Sequence, residues 1–266
     1  MTCLDIAQML GLDDEVISNV EKRCAEIDFG AISSSQNKLF NPPLWQEGLQ
    51  ELWDYCGDDP LGMKILTIML DCLVKTHERY KVLGIPNKIF IDTMGFIPRF
   101  IAGHKAAHGV SAFVWSWWLP REISLKEFRI GEYEYEFLTD NGERRINLHI
   151  PSDADLKCGD IEAIYPFVKE YYPEYDGCEI VCDSWLLSAE LKKLLSEDSN
   201  IIRFQNKFRI ERVDEDSPYF LGWVYPGKEN LPYSELPEGT TLQRAMKKHL
   251  EAGGKVGSAY GVYVRR

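Results

Sequence analysis

The order of strand and helix patterns between Arg145 and Ile210 constrains the fold more than any other feature of this chain. The stretch alternates strand RINLHI, helix IEAIYPFVKEYY, strand CEIVCDSWLL, helix SAELKKLL and strand IIRFQNKFRI. A β-α-β-α-β order builds a sheet with helices packed on it. Ligands of such sheets bind beyond the carboxyl ends of the strands. We therefore expect a functional site where the first two strands end, near His149 and Asp183.

The first part of the chain is predicted to be helical, because apolar residues recur at helical spacing, as at Val16, Val20 and Cys24. Residues 128–138 (FRIGEYEYEFL) instead alternate as in a strand, and a turn signal at 140–142 predicts a hairpin. The sequence thus predicts an α+β fold with a helical N-terminal domain over residues 1–122. A mixed β-sheet flanked by helices is expected over residues 123–266.

Charge and composition exclude several classes of function. The formal net charge is −12 and both halves of the chain are acidic, so no basic half is available to hold nucleic acid through its phosphates. The most apolar run, LGMKILTIMLDCLV, is broken by Lys64 and Asp71 and is too short to span a bilayer. The N-terminus has no secretory signal pattern, and seven scattered cysteines lack CxxC pairs. We expect a cytoplasmic protein that binds no membrane.

His149 is the first candidate catalytic residue, because it lies at a strand end and an imidazole is a common general base. The alternative is a half-buried histidine that only hydrogen-bonds a neighbour. Asp183 and Ser184 are the second candidates, because they follow a strand and precede a helix, where a carboxylate can orient a nucleophile or an amine. The alternative for this pair is a turn in which Ser184 caps the helix.

Two further patterns have structural alternatives. Ser152 and Asp153 precede a helix and are candidates for an anion site, but residues of these types also form local turns. His104 and His108 are four residues apart, as metal ligands on a helix are, but the sequence offers no third ligand. No metal is therefore expected.

Four segments carry a resemblance to a known family. The hairpin followed by helix, strand, helix and strand resembles the C-terminal half of the GNAT acyltransferase fold. The residues themselves resemble bacterial acyltransferase domain-containing proteins, which join a helical N-acyltransferase N-terminal domain to a GNAT-like C-terminal domain. The matching segments are LHIPSDADL (148–156), CDSWLLSAEL (182–191), SNIIRFQNKF (199–208) and TTLQRAMKKHLEAGG (240–254).

The resemblance implies an N-acyltransferase that moves an acyl group from an acyl-CoA thioester to a small-molecule amine. It implies His149 or Asp183 as the base and Ser184 as proton donor or oxyanion contact. Donor contacts are expected around Ile150, Ser152 and Gly159. A GNAT fold would thread the pantetheine arm of the donor through a gap between the strands that end at Ile150 and Trp185. The resemblance does not indicate the oligomeric state.

The sequence departs from the GNAT pattern at two points. GNAT enzymes bind pyrophosphate with a Gly-rich loop, whereas PSDADLKCGD (151–160) has one glycine, no arginine and three aspartates. The helix SAELKKLL lacks the tyrosine that often protonates the departing thiolate. These departures favour an alternative function, in which the protein is a non-catalytic GNAT-fold module that binds a small molecule or a partner protein.

Overall fold

The computed structural model describes residues 1–265, which form two compact units: Met1–Ile130, and a second unit that begins at Gly131. Compactness alone does not define a domain that folds by itself. The domain boundary after residue 122 that the sequence predicts therefore stays a prediction. Among the described residues, no helix combines the length and apolar character needed to cross a lipid bilayer.

The first unit is built from helices and one short strand. Their bounds are α1 Cys3–Met9, α2 Asp14–Glu26, α3 Phe29–Lys38, α4 Trp45–Cys56, α5 Met63–Leu83, α6 Asn87–Met94, α7 Phe96–His108, α8 Pro120–Ile123 and β1 Glu127–Ile130, with a 3₁₀ turn at Pro42–Leu44. Helix α5 contributes more buried hydrophobic residues than any other described helix of this unit, and Ile68, Leu70 and Leu73 are fully buried along it. Its apolar length explains why the sequence shows the longest helical pattern here.

Local sequence signals set several helix ends in this unit. Thr2 and Asp5 form a reciprocal capping box at the start of α1. Gly84 ends α5 in the left-handed conformation with φ 73°. The sequence predicts that Pro98 ends or kinks a helix opened by Pro86. The structure instead divides α6 from α7 at Gly95, and Pro98 lies in the first turn of α7, where a missing N–H costs nothing.

The second unit combines strands with short helices. Their bounds are β2 Tyr133–Asp140, β3 Glu143–His149, α9 Ile164–Tyr171, β4 Ile180–Ser184, α10 Leu191–Leu194, α11 Asn200–Gln205, β5 Phe208–Asp214, α12 Phe220–Val224, α13 Thr241–Glu251 and β6 Ser258–Tyr263, with 3₁₀ turns at Ile161–Ala163, Pro173–Tyr175, Trp185–Leu187 and Tyr233–Glu235. The predicted α+β class is therefore confirmed.

The strands of this unit lie in the order β2-β3-β4-β6-β5. Strands β2 and β3 pair as an antiparallel hairpin, β3 and β4 are parallel, and β6 is antiparallel to both β4 and β5. The crossover from β3 to β4 contains α9, as a parallel connection requires. The result is the mixed sheet that the strand-helix alternation predicted.

Three predicted elements differ from the structure. Residues 201–205, read as the start of a strand, lie in α11, because Ser199 caps that helix by accepting a hydrogen bond from the Ile202 N–H. SAELKKLL is not one helix: a 3₁₀ turn precedes it, and only Leu191–Leu194 is α-helical. The predicted strand 128–138 is broken at Gly131, whose φ of 65° turns the chain between β1 and β2.

Candidate active site

The parallel strands β3 and β4 pair over a short distance and then part. Their register pairs are Ile146 with Ile180 and Asn147 with Val181, and the ladder includes no later pair in the described chain. Beyond this point β3 still pairs with β2 at His149, and β4 still pairs with β6 as far as Ser184. The facing edges of β3 and β4 are therefore not joined at their carboxyl ends, where ligands of α/β sheets bind.

The register assigns the predicted site residues to two faces of the sheet. Side chains alternate along a strand, and residues paired across strands share a face. Asn147 pairs with Val181, so His149 and Asp183 lie on one face. Ser184 lies on the opposite face. The structure thus brings two of the three predicted catalytic residues to the same face and separates the third from them.

His149 is held by a carboxylate that the sequence analysis did not select. Its Nε2 atom lies 3.0 Å from Oε2 of Glu136 on β2, and the amide nitrogen of Asn147 lies 3.2 Å from the same ring atom. The Glu136 side chain is 9% exposed and that of His149 is 22% exposed. A buried carboxylate therefore fixes an imidazole that solvent still reaches.

Nε2 of His149 has both an acceptor and a donor as neighbours and can bond only one of them at a time. When Nε2 carries the proton, it donates to the Glu136 carboxylate, which only accepts; when Nε2 carries the lone pair, it accepts from the Asn147 amide. In the first of these tautomers, Nδ1 is the atom that takes up a proton. The carboxylate also stabilises the imidazolium that forms, as the aspartate of a Ser-His-Asp triad does. The pair can therefore act as an oriented general base.

Asp183 forms an exposed ion pair, and Ser184 caps a turn. An Asp183 carboxylate oxygen lies 3.2 Å from Nη2 of Arg212 in an exposed ion pair. The Ser184 hydroxyl accepts a hydrogen bond from the Leu186 N–H at 3.2 Å and so caps the following 3₁₀ turn. These contacts match the capping alternative for Ser184 and leave its O–H group available as a donor.

The loop between β3 and α9 uses its own backbone N–H groups. The N–H of Gly159 donates to the Asp155 carbonyl at 2.8 Å, and the N–H of Lys157 donates to the Asp155 carboxylate at 2.8 Å. The Asp155 N–H donates to the Glu132 carboxylate at 2.9 Å. Of the predicted donor contacts, Ile150 is half-buried and Ser152 is exposed at the start of this loop. The loop is therefore not a Gly-rich phosphate cradle.

Gly159 is required by close packing. A Cβ atom at this position would lie 2.3 Å from the hydroxyl oxygen of Tyr133. The Tyr133 side chain is fully buried, and its hydroxyl has no hydrogen-bond partner among the described residues. Burial raises the pKa of Tyr133 to about 12. The single glycine of the loop therefore makes room for an aromatic ring.

The two histidines of α7 contact each other. The rings of His104 and His108 lie 4.5 Å apart between centroids, and Nδ1 of His104 lies 2.8 Å from the Val110 carbonyl oxygen. One ring nitrogen of His104 is thus already engaged by the chain that follows the helix.

Comparison with known sequences gives two family matches. Residues 91–263 match the family described as GNAT-like C-terminal domain, which is more than half of the chain. Residues 1–125 match the family described as N-acyltransferase N-terminal domain. No curated protein sequence matches the chain.

Solved structures give similar folds at low sequence identity. One is an acyltransferase in complex with decanoyl-CoA and teicoplanin, with 19% identity, a TM-score of 0.77, and coverage of 97% of this chain and 86% of that chain. Another is an acyltransferase mutant in complex with octanoyl-CoA, with 18% identity, a TM-score of 0.78, and coverage of 98% and 87%. These similarities confirm the fold that the resemblance predicted.

Proposed function

The chain belongs to the GNAT-like C-terminal domain family, and on this premise we propose that it is an N-acyltransferase that moves an acyl group from acyl-CoA to an amine. The observation that carries the proposal is the parting of β3 and β4 after Asn147 and Val181. Beyond these residues the two strands leave a gap, and His149, oriented by Glu136, lies at its edge. A thioester held in the gap would lie beside a base.

Three features support acyl-CoA as the donor. The unpaired edges of β3 and β4 can hydrogen-bond to an extended pantetheine arm through their backbone groups, as they would to a neighbouring strand. The family match includes an N-acyltransferase N-terminal domain. The structures with similar folds were solved with decanoyl-CoA or octanoyl-CoA, so medium-chain acyl-CoAs are the first donors to test.

The proposed reaction uses His149 as a proton relay. The amine nitrogen attacks the thioester carbonyl and forms the new N–C bond, while Nδ1 of His149 takes a proton from the nitrogen. The C–S bond then breaks, and the imidazolium returns its proton to the departing thiolate. Atoms and charges balance without any further co-reactant. Glu136 stabilises the imidazolium between these two steps.

The remaining predicted residues take supporting roles in this proposal. Asp183 shares a face with His149 and would attract the ammonium form of the acceptor. The Ser184 hydroxyl would donate to the thioester oxygen from the opposite face. The backbone at Ile150 and Ser152 would contact the donor where β3 ends. Gly159 would contribute through close packing, because its N–H is already donated within the loop.

A second function, a non-catalytic binding module, is favoured by one observation. Several N–H groups of the loop that follows β3 are donated to the loop's own acceptors or to Glu132. These groups are the ones that would cradle a pyrophosphate in other GNAT proteins. A protein of this fold that had lost acyl transfer would not need these N–H groups to be free for a pyrophosphate.

One experiment separates the two functions. Thermal unfolding is measured with acetyl-CoA, octanoyl-CoA, decanoyl-CoA and free CoA. A donor present at about 100 times its dissociation constant should stabilise the fold by about 2.7 kcal/mol. No stabilisation by any of them would favour the second function.

For a donor that binds, acyl transfer to primary amines is followed by thiol release and by the mass of the amide product. His149→Gln is compared with wild type. Turnover that needs His149 supports the transferase. Donor binding without turnover for any amine supports the module, and unchanged turnover in His149→Gln removes His149 from the mechanism.

A further inference from the structure

The face of the sheet that carries His149 also carries two arginines gathered around one tyrosine. Asp183 pairs with Tyr260 of β6, and Tyr260 pairs with Arg212 of β5. Arg145 lies on β3 four residues before His149, so strand alternation places it on the same face. Strands β3, β4, β6 and β5 therefore each contribute a polar side chain to one surface.

Contacts between these side chains define the cluster. The guanidinium carbon of Arg212 lies 5.2 Å from the centre of the Tyr260 ring. The Arg145 side chain also interacts with that of Tyr260. Tyr260 is half-buried, and both arginines contact it. We call Arg145, Tyr260 and Arg212 the arginine-tyrosine platform.

The platform retains donors for a ligand. The Arg145 side chain is 46% exposed and that of Arg212 is 70% exposed. Among the described residues, Arg145 pairs with Glu143 at 2.7 Å and Arg212 pairs with Asp183 at 3.2 Å. Exposed ion pairs of this kind contribute little free energy and rearrange readily. A planar guanidinium has N–H groups beyond those used here and matches a carboxylate or phosphate in geometry.

We infer that the arginine-tyrosine platform binds a carboxylate of the acceptor, so that the preferred acceptor is an amine that also carries an anionic group at a distance. This inference rests on the proposed function and deepens it. Four residues of strand separate Arg145 from His149, which is roughly 13 Å at the strand rise. A free amino acid is too short to span this distance. An extended peptide of about four residues, with a free amine at one end and a carboxylate at the other, has the matching length.

The test compares acceptors that differ only in the anion. Alanine, tetra-alanine and tetra-alanine amide are each used as acceptor with decanoyl-CoA as donor. We expect kcat/KM for the tetrapeptide acid to exceed that for its amide by about tenfold or more, because a charge-assisted hydrogen bond is lost in the amide. Alanine should be a poor acceptor. Equal kcat/KM values for the acid and the amide would overturn the inference.

Variants test whether the preference for the tetrapeptide acid depends on the arginine-tyrosine platform. Arg145→Gln and Arg212→Gln should each raise KM for the tetrapeptide acid more than KM for the amide, so that the ratio of kcat/KM for the acid to kcat/KM for the amide falls towards one. Tyr260→Phe should retain part of the preference, since the ring remains. Arg203→Gln is the matched control, because Arg203 is also exposed and paired with an aspartate but lies on α11. An acid preference that survives in the Arg145→Gln/Arg212→Gln double variant would also overturn the inference.

Failure of the proposed function would give a different result from failure of this inference. In that case decanoyl-CoA would acylate neither the peptides nor a simple amine such as benzylamine. Binding is then measured directly, by titrating ¹⁵N-labelled protein with tetra-alanine or its amide and following the arginine Nε–Hε signals. Shifts of the Arg145 and Arg212 signals caused by the acid alone would support the anion site without catalysis. Signals that do not move, or that move equally with the amide, would exclude it.

Discussion

Glu136 and His149 are diagonal neighbours across the β2–β3 hairpin, with Oε2 and Nε2 3.0 Å apart. In the register, Glu136 stands opposite Asn147 and His149 stands opposite Glu134. Diagonal pairs on one face of an antiparallel ladder are within reach of long side chains. The hairpin register therefore decides which carboxylate meets the histidine.

Replacing His149 by glutamine should lower kcat by about 10²- to 10⁴-fold, the usual contribution of a positioned general base. Acyl-CoA affinity should stay within about twofold, because the imidazole is proposed to act on the proton and not on the donor. Steady-state kinetics and a donor titration measure the two effects. His108→Gln, at an exposed position on α7, is the control and should behave as wild type. A loss of donor binding that matches the loss of rate would contradict the assigned role.

Glu136→Gln should lower kcat by roughly tenfold or more while the protein stays folded, since glutamine keeps the shape of the side chain and removes the charge that stabilises the imidazolium. The rate loss should largely disappear when His149 is already absent, because the two residues act as one unit. A double-mutant cycle on kcat measures this coupling. Glu211→Gln on β5, an exposed glutamate paired with Arg209, is the control. Additive effects of Glu136→Gln and His149→Gln would show that the carboxylate acts elsewhere.

Gly159→Ala should destabilise the protein by about 1–3 kcal/mol, because the added Cβ would overlap the Tyr133 ring and force one of them to move. Chemical denaturation measures the change. Gly222→Ala on α12 is the control, since its nearest new contact would be at an ordinary 3.8 Å. The double variant Gly159→Ala/Tyr133→Leu should recover part of the loss. Wild-type stability of Gly159→Ala would mean that the loop tolerates a side chain there.

Tyr133→Phe should leave stability at pH 7 unchanged or raise it by up to about 1 kcal/mol, because the deleted hydroxyl is buried without a partner among the described residues.

The Tyr133 hydroxyl should also lower stability at alkaline pH. Tyrosine ionises near pH 10 in the unfolded chain, whereas the pKa of Tyr133 is about 12 in the fold. Between these values the unfolded state loses its proton first, so the free energy of unfolding falls as pH rises from 10 to 12. In Tyr133→Phe this fall should be smaller. If the free energy of unfolding depended on pH identically in the two proteins, the burial of Tyr133 would be excluded as a cause of the fall.

The sequence predicted the architecture better than its local details. The strand-helix alternation from Arg145 onward gave the mixed sheet, because periodicity and turn residues are local signals. Residues 201–205 were misread as a strand since their apolar side chains fit either element, and the Ser199 cap favours the helix. The break at Gly131 was missed because one glycine in an alternating pattern is compatible with a continuous strand.

The candidate site was predicted only in part, for a physical reason. His149 could be selected because its position at a strand end and its chemistry are both local properties. Glu136 could not, because its partnership with His149 depends on the hairpin register, which pairs residues from two strands. One signal was available in the sequence: in YEYEF (133–137) glutamates alternate with aromatic residues, which puts two carboxylates on one face of a strand. The structure shows that Glu134 and Glu136 are both buried. Buried carboxylates on a strand require partners, and so indicate a polar site on that face.

The position of β6 between β4 and β5 has a consequence for how the second unit is assembled. Among the described strands, β5 pairs with β6 alone and β4 has only its short ladder with β3 besides β6, and the pairing of β4 with β6 joins residues far apart in the chain. Long-range pairings of this kind form slowly. Until they form, two strand edges remain open to other chains, and such edges promote aggregation. A nascent or proteolysed polypeptide lacking β6 should therefore depend on chaperones to remain dispersed.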